Sequence, residues 1–273
     1  MISEDYIEKL KQIDFFKDNI HPELMPFVGN NYSKYKVLHI GESHFIPNYF
    51  EAGFDKYGNP HLLNEITLKD FEGWWEGKYS KALREKINWY DTQSVIKDYM
   101  DGKRTKAHGI FTNTLKSFCN VVVSEEAFDS ITTEDSKKYN YFAYMNFYQQ
   151  PSIYANTNFT KSLYKAGYFV GKNTVEIDEL WYEIFDKSVE IIEKVIDILN
   201  PKVIVVTSSE IEKYYRQYGS IDEYGKRTEG KYYTRKNIIW LDHPGTSWWN
   251  RRKKDSKSSK ERFEERLKEI YNA

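Results

Sequence analysis

Residues 36–45 read KVLHIGESHF. Val37, Leu38 and Ile40 do not alternate cleanly with polar residues, so a strand here must be covered on both faces, as in a parallel sheet. It ends abruptly in Gly41, Glu42, Ser43 and His44, residue types from which active sites are made. Working outward, 139–151 (YNYFAYMNFYQQP) predicts a second strand that ends in Asn146 before Pro151 stops it. A third is KVIVVTSSE (202–210), feeding a Ser-capped helix, and a fourth is NIIWLDHPG (237–245).

Between these runs lie helical patterns. Residues 3–18 carry Tyr6, Ile7, Leu10, Ile13 and Phe16 at helical spacing, with Ser3 as cap. Residues 109–123 and 174–200 give two more, the latter terminated by Asn200-Pro201, and 259–273 a last one. From 46 to 106 the chain is long, aromatic and punctuated by Gly53, Gly58 and Gly73. That stretch predicts a helical insertion, with helices near 80–89 and 92–100. Strands alternating with helices predict one α/β domain over 1–273, a three-layer α/β/α sandwich on a parallel sheet.

Composition narrows the function classes. Forty Lys plus Arg against 41 Asp plus Glu leave no global field to draw the protein onto nucleic acid or membrane, so any polyanion site must be local. The one cysteine, Cys119, excludes an internal disulfide framework or a four-cysteine cluster and points to a reducing, cytoplasmic setting. No apolar run is long enough to span a membrane, and residues 1–16 lack the apolar core of a signal peptide. His21, His39, His61 and His108 are scattered without ligand spacing, so neither metal nor cofactor is expected.

Gly41-Glu42 after the first strand, Asn146 on the second and His243-Pro244-Gly245-Thr246-Ser247 after the fourth resemble, in that order, the motifs of the uracil-DNA glycosylase superfamily. The resemblance spans the core from residue 36 onward and leaves 46–106 unmatched. The sequence departs from the family pattern in three ways. No Pro-Gly or Pro-Tyr-His follows the first motif, Gly245 stands where Ser is usual, and the cysteines of the cluster-bearing branches are missing. The resemblance implies four parallel strands in spatial order 2-1-3-4 and a monomer acting on DNA. It implies a role for each motif residue. Glu42 would offset the sugar cation or direct water, Asn146 would read the edge of a flipped base, and His243 would donate to the departing base.

Around these, Gly41, Ser43, His44, Phe45, Pro244 and Ser247 are candidate substrate-binding residues, with Phe45 and Phe54 as stacking candidates. Trp248, Trp249, Arg251, Arg252, Lys253 and Lys254 combine wedge-like aromatics with phosphate-seeking cations, a pattern suited to gripping DNA. The same fold could carry a catalytically silent nucleic-acid binder. Ser43 with His243 also admits a GDSL-like esterase, although Asp242 directly precedes His243 where that family spaces the two apart; His44, adjacent to Ser43, diverges from it and is a poor base.

Overall fold

The computed structural model describes residues 3–45, 68–81, 83–84, 91–103, 108–123, 132–152, 159–165, 171, 173–212, 237–245, 249–252 and 257–271. In chain order, α1 (Glu4–Leu10) precedes the strands β1 (Phe27–Val28) and β2 (Val37–Phe45). Helices α2 (Thr92–Met100) and α3 (Gly109–Phe118) come next, then β3 (Phe142–Ser152), α4 (Phe159–Lys165) and α5 (Thr174–Leu199). Strands β4 (Val203–Val206) and β5 (Ile238–Trp240) and helix α6 (Ser259–Tyr271) complete the order.

The sheet has five strands in the order β1-β3-β2-β4-β5. It is mixed: β3, β2, β4 and β5 run parallel, and β1 pairs antiparallel with β3 through Phe27↔Tyr144 and Val28↔Ala143. The expectation of four strands, all parallel, is corrected by this short edge strand. Two residues are too few to show alternation, which is why β1 left no signal in the sequence.

β2 is central. Lys36, in the left-handed region at φ 54°, turns the chain out of a single helical turn at Tyr32–Tyr35. Val37 then pairs with Phe142 on one side and Val203 on the other. Side chains of a strand alternate between faces, and here each face meets its own helical layer. Leu38 and Ile40 pack in a core with Ile184, Phe185, Ile192, Val195 and Ile196 of α5. Val37 packs in a second core with Leu115 and Phe118 of α3 and with Phe263 and Leu267 of α6. Helices on both faces explain the unbroken apolar run, each buried side chain contributing about 1.5–3 kcal/mol.

Several boundaries move. The first helix stops at Leu10, and a separate 3-10 turn at Asp14–Phe16 lets Phe15 and Phe16 both bury. β3 runs through Pro151 to Ser152. The pairing between β2 and β3 shifts register between Ser43 and Phe45, and an irregular ladder tolerates a residue with no N–H to donate. The described part of 46–106 is built into the body: Phe71, Trp74 and Leu83 lie in the α5-side core and Ile96, Tyr99 and Met100 in the other. The helix expected near 80–89 lies mostly outside the described residues. α5 extends for 26 residues and ends where Asn200 takes φ 44° ahead of Pro201, the left-handed exit common at helix ends.

Candidate functional site

Because β2, β3, β4 and β5 are parallel, their carboxyl ends share one edge: Thr207 and His243 lie beyond the ends of β4 and β5, whereas Gly41 and Asn146, expected at strand ends, are paired inside β2 and β3, which run on to Phe45 and Ser152. Gly41 pairs directly with Asn146. A Cβ on Gly41 would lie 2.5 Å from Asn146 Oδ1 and closer still to the Tyr144 hydroxyl. Glycine is therefore required here for room: the amide and the phenol lie across the strand where any side chain would stand. The Tyr144 hydroxyl donates to Asn146 Oδ1 at 2.9 Å, and the Asn146 carbonyl accepts from Gln149 Nε2 at 2.5 Å. Asn146 is only 6% exposed.

Beneath this pair lies His39, which sequence reading left among the scattered histidines. It is completely buried. Thr207 spends its hydroxyl hydrogen on the Ile40 carbonyl at 3.1 Å, so His39 Nε2–H donates to Thr207 Oγ1 at 3.2 Å and Nδ1 accepts from the Tyr139 hydroxyl at 2.7 Å. Burial, with a smaller contribution from His243, draws its pKa down to about 3. His39 is thus a neutral, fully satisfied imidazole whose edge meets Tyr144 at 5.2 Å between ring centroids.

His243 sits in a turn pinned from three sides. Ser259 Oγ accepts from the Asp242 N–H at 3.1 Å, Asn113 Nδ2 of α3 donates to the Pro244 carbonyl at 2.6 Å, and the Gly245 N–H donates to His243 Nδ1 at 3.0 Å. The last bond places the neutral ring's proton on Nε2. The ring lies at the surface, and the protein on its inner side lowers its pKa. Gly245 has a geometric reason to be glycine, since a Cβ there would lie 2.9 Å from His243 Cε1 and 3.1 Å from Nδ1.

Glu42 belongs to the opposite face of β2. Its Oε1 accepts from the Phe159 N–H of α4 at 2.9 Å and its Oε2 from the Ser208 hydroxyl at 2.7 Å. Beside it, Glu210 accepts from the Thr160 N–H at 3.1 Å and hydroxyl at 2.6 Å, and Trp181 Nε1 donates to that hydroxyl at 3.2 Å. Burial raises the pKa of both carboxyls against these hydrogen bonds, and Glu42 adds to the rise at Glu210. Glu210 and Ser208 were missed by the sequence reading; a Ser-capped helix start after a buried strand was their signal.

The anticipated constellation is therefore divided. Gly41, Asn146 and His243 gather on the α3 side with Tyr144 and His39, whereas Glu42 faces α4. His44, half-buried, has Nε2 3.4 Å from Thr92 Oγ1, and burial takes its pKa down to about 4. Ser43 pairs with Tyr148 in the ladder. The tautomer of His243 works against the esterase arrangement, because an Nε2 that carries hydrogen cannot take a proton from Ser43.

Of the proposed DNA grip, Trp249 is corrected: it is 1% exposed, 6.2 Å from the Phe263 ring, and serves as core, not as a wedge. Arg251 is exposed, while Arg252 is held by a bidentate pairing with Glu261. The side chain of Phe45 and residues Phe54, Ser247, Trp248, Lys253 and Lys254 lie outside the described residues. Among the described residues no three His, Cys, Asp or Glu side chains are grouped to hold a metal, and no helix is long and apolar enough to cross a membrane. Compared with protein-family models, curated proteins and solved structures, the chain gives no match.

Proposed function

We propose that the carboxyl edge of the sheet binds an extruded nucleobase and hydrolyses its N-glycosidic bond, with uracil in DNA as the leading substrate. The observation that supports this reading best is the pair of fixed hydrogen-bond donors on the α3 side, Asn146 Nδ2 and His243 Nε2. Each is set by a hydrogen bond to the other end of its own planar group. In the proposed reaction the bond from C1′ to the base nitrogen breaks and its electron pair leaves on the base. His243 donates to the base oxygen that gathers the charge, and a neutral imidazole suffices because a hydrogen bond, not a proton, is what it supplies. Water adds to C1′ and releases its proton towards Glu42.

Glu42 stands on the opposite face of β2 from these donors, so this reading requires the sugar to reach past the strand to it; its hydrogen bonds from Phe159 and Ser208 leave lone pairs on both oxygens. In this reading the exposed Arg251 would meet a phosphate. Flipping a base costs a few kcal/mol and is cheapest in single strands and mismatches, so those substrates come first. An oligonucleotide carrying one uracil, incubated with the protein and then with alkali, should break at that position. His243→Ala and Glu42→Gln should each slow release about a hundredfold to a thousandfold. If the wild-type protein releases no uracil, hypoxanthine or xanthine but binds the strand in a salt-dependent way, the catalytic reading fails and a silent binder takes its place.

A further inference from the structure

A side-chain amide can present either its oxygen or its nitrogen to a ligand, and the two choices recognise opposite partners. At Asn146 the choice is made by Tyr144. Its hydroxyl donates to Asn146 Oδ1. Burial holds the phenol pKa far above its ordinary value, so the group remains a donor at any working pH. The ring is wedged between the edges of His39 at 5.2 Å and Phe111 at 5.0 Å, both near perpendicular, so the hydroxyl cannot swing away. Among the described residues that hydroxyl has no other acceptor. Turning the amide over would strand a buried O–H, at a cost of about tenfold or more in population. Nδ2 has no hydrogen-bond partner among the described residues.

We propose that Tyr144 is a positioning residue that fixes Asn146 with Nδ2 outward, so that the site reads a ring carbonyl in preference to a ring amino group. Gly41 is part of the device, since only a residue without Cβ lets the phenol and the amide meet over β2. The proposal rests on the base-binding reading above, and for pyrimidines it names the class: 4-oxo rings such as uracil are accepted and 4-amino rings such as cytosine are rejected. The rejection arises because an outward N–H facing an amino group leaves two donors opposed.

The test is calorimetric binding of free uracil and free cytosine to wild-type protein and to Tyr144→Phe, alongside excision from the uracil oligonucleotide. Wild type should favour uracil by about tenfold or more, and Tyr144→Phe should shrink that ratio about fivefold, the worth of one neutral hydrogen bond. A merely structural role would weaken both ligands equally and leave the ratio unchanged, which overturns the proposal, as does a wild type that does not discriminate. Selective binding without excision would end the catalytic reading and leave this one standing. Should Tyr144→Phe not fold, wild-type protein labelled with 15N at asparagine side chains decides the matter. The Asn146 Nδ2 signal, identified by its loss in Asn146→Leu, should shift on adding uracil; an unmoved signal overturns the proposal.

Discussion

His39 should make the fold sensitive to acid in a measurable way. Burial takes its pKa from an ordinary 6.5 to about 3. At 1.36 kcal/mol per pH unit, the refusal of that proton is worth about 5 kcal/mol once the pH is below 3, and about 3 kcal/mol by pH 4. Between those limits the unfolded chain binds a proton that the folded one excludes. His39's contribution is therefore whole above pH 6.5 and is lost as the pH falls. His44 acts with the same sign. Glu42 and Glu210, raised by burial, act with the opposite sign, losing stability as the pH rises through their pKa. The cleanest perturbation is His39→Gln, whose amide can accept from Tyr139 and donate to Thr207 but does not titrate. Urea unfolding of both proteins at pH 7, 6, 5 and 4 gives the difference in stability. The variant should be the less stable at pH 7, and the gap should close by about 3 kcal/mol at pH 4. Parallel profiles for the two proteins over that range would refute the reasoning.

Three further outcomes are expected. Excision should rise with pH through the raised pKa of Glu42, because only the carboxylate offsets a cationic sugar, and the Glu42→Gln profile should be flat over the same range. Gly41→Ala should cost about 1–3 kcal/mol in thermal or urea unfolding through overpacking against Tyr144 and Asn146, and should abolish uracil binding; retained binding would show that the amide does not need its cradle. Trp249→Ala should destabilise by about 3–5 kcal/mol, as for an aromatic removed from a core, and should leave the DNA affinity of the folded variant unchanged, whereas loss of a wedge residue would weaken it.

The start of β2 was legible because a both-faces-buried run has no other economical reading, but its end was not: the strand runs on through Glu42, Ser43 and His44 to Phe45, where polar residues suggested a turn. His243 was legible as a position just past β5. Asn146 was legible as a residue but not as an assembly. Nothing in the sequence shows that Tyr144, two positions earlier on the same face of β3, reaches forward to its amide, or that Gly41 is glycine for their sake. His39 was hidden by its own burial, since a histidine satisfied by Tyr139 and Thr207 is joined to them only through space. Trp249 was misplaced because the cations that follow it argue for the surface, whereas Phe263 on a helix downstream supplies the cover. Pro151 was read as a stop because the rule against proline in strands assumes a regular ladder, and the register shift beside β2 removes that assumption.

The alternation along β2 gives the protein two separately adjustable chemistries. Glu42 answers to α4 and the Ser208 turn; Gly41 and Asn146 answer to α3 and the phenol of Tyr144. A substitution in the α4 layer can alter how tightly the carboxyl holds its proton and leave the amide's direction untouched, and the reverse is equally true. The acidity of the carboxyl and the direction of the amide can thus be inherited, lost or refined one at a time, with the backbone of a single strand as the boundary between them.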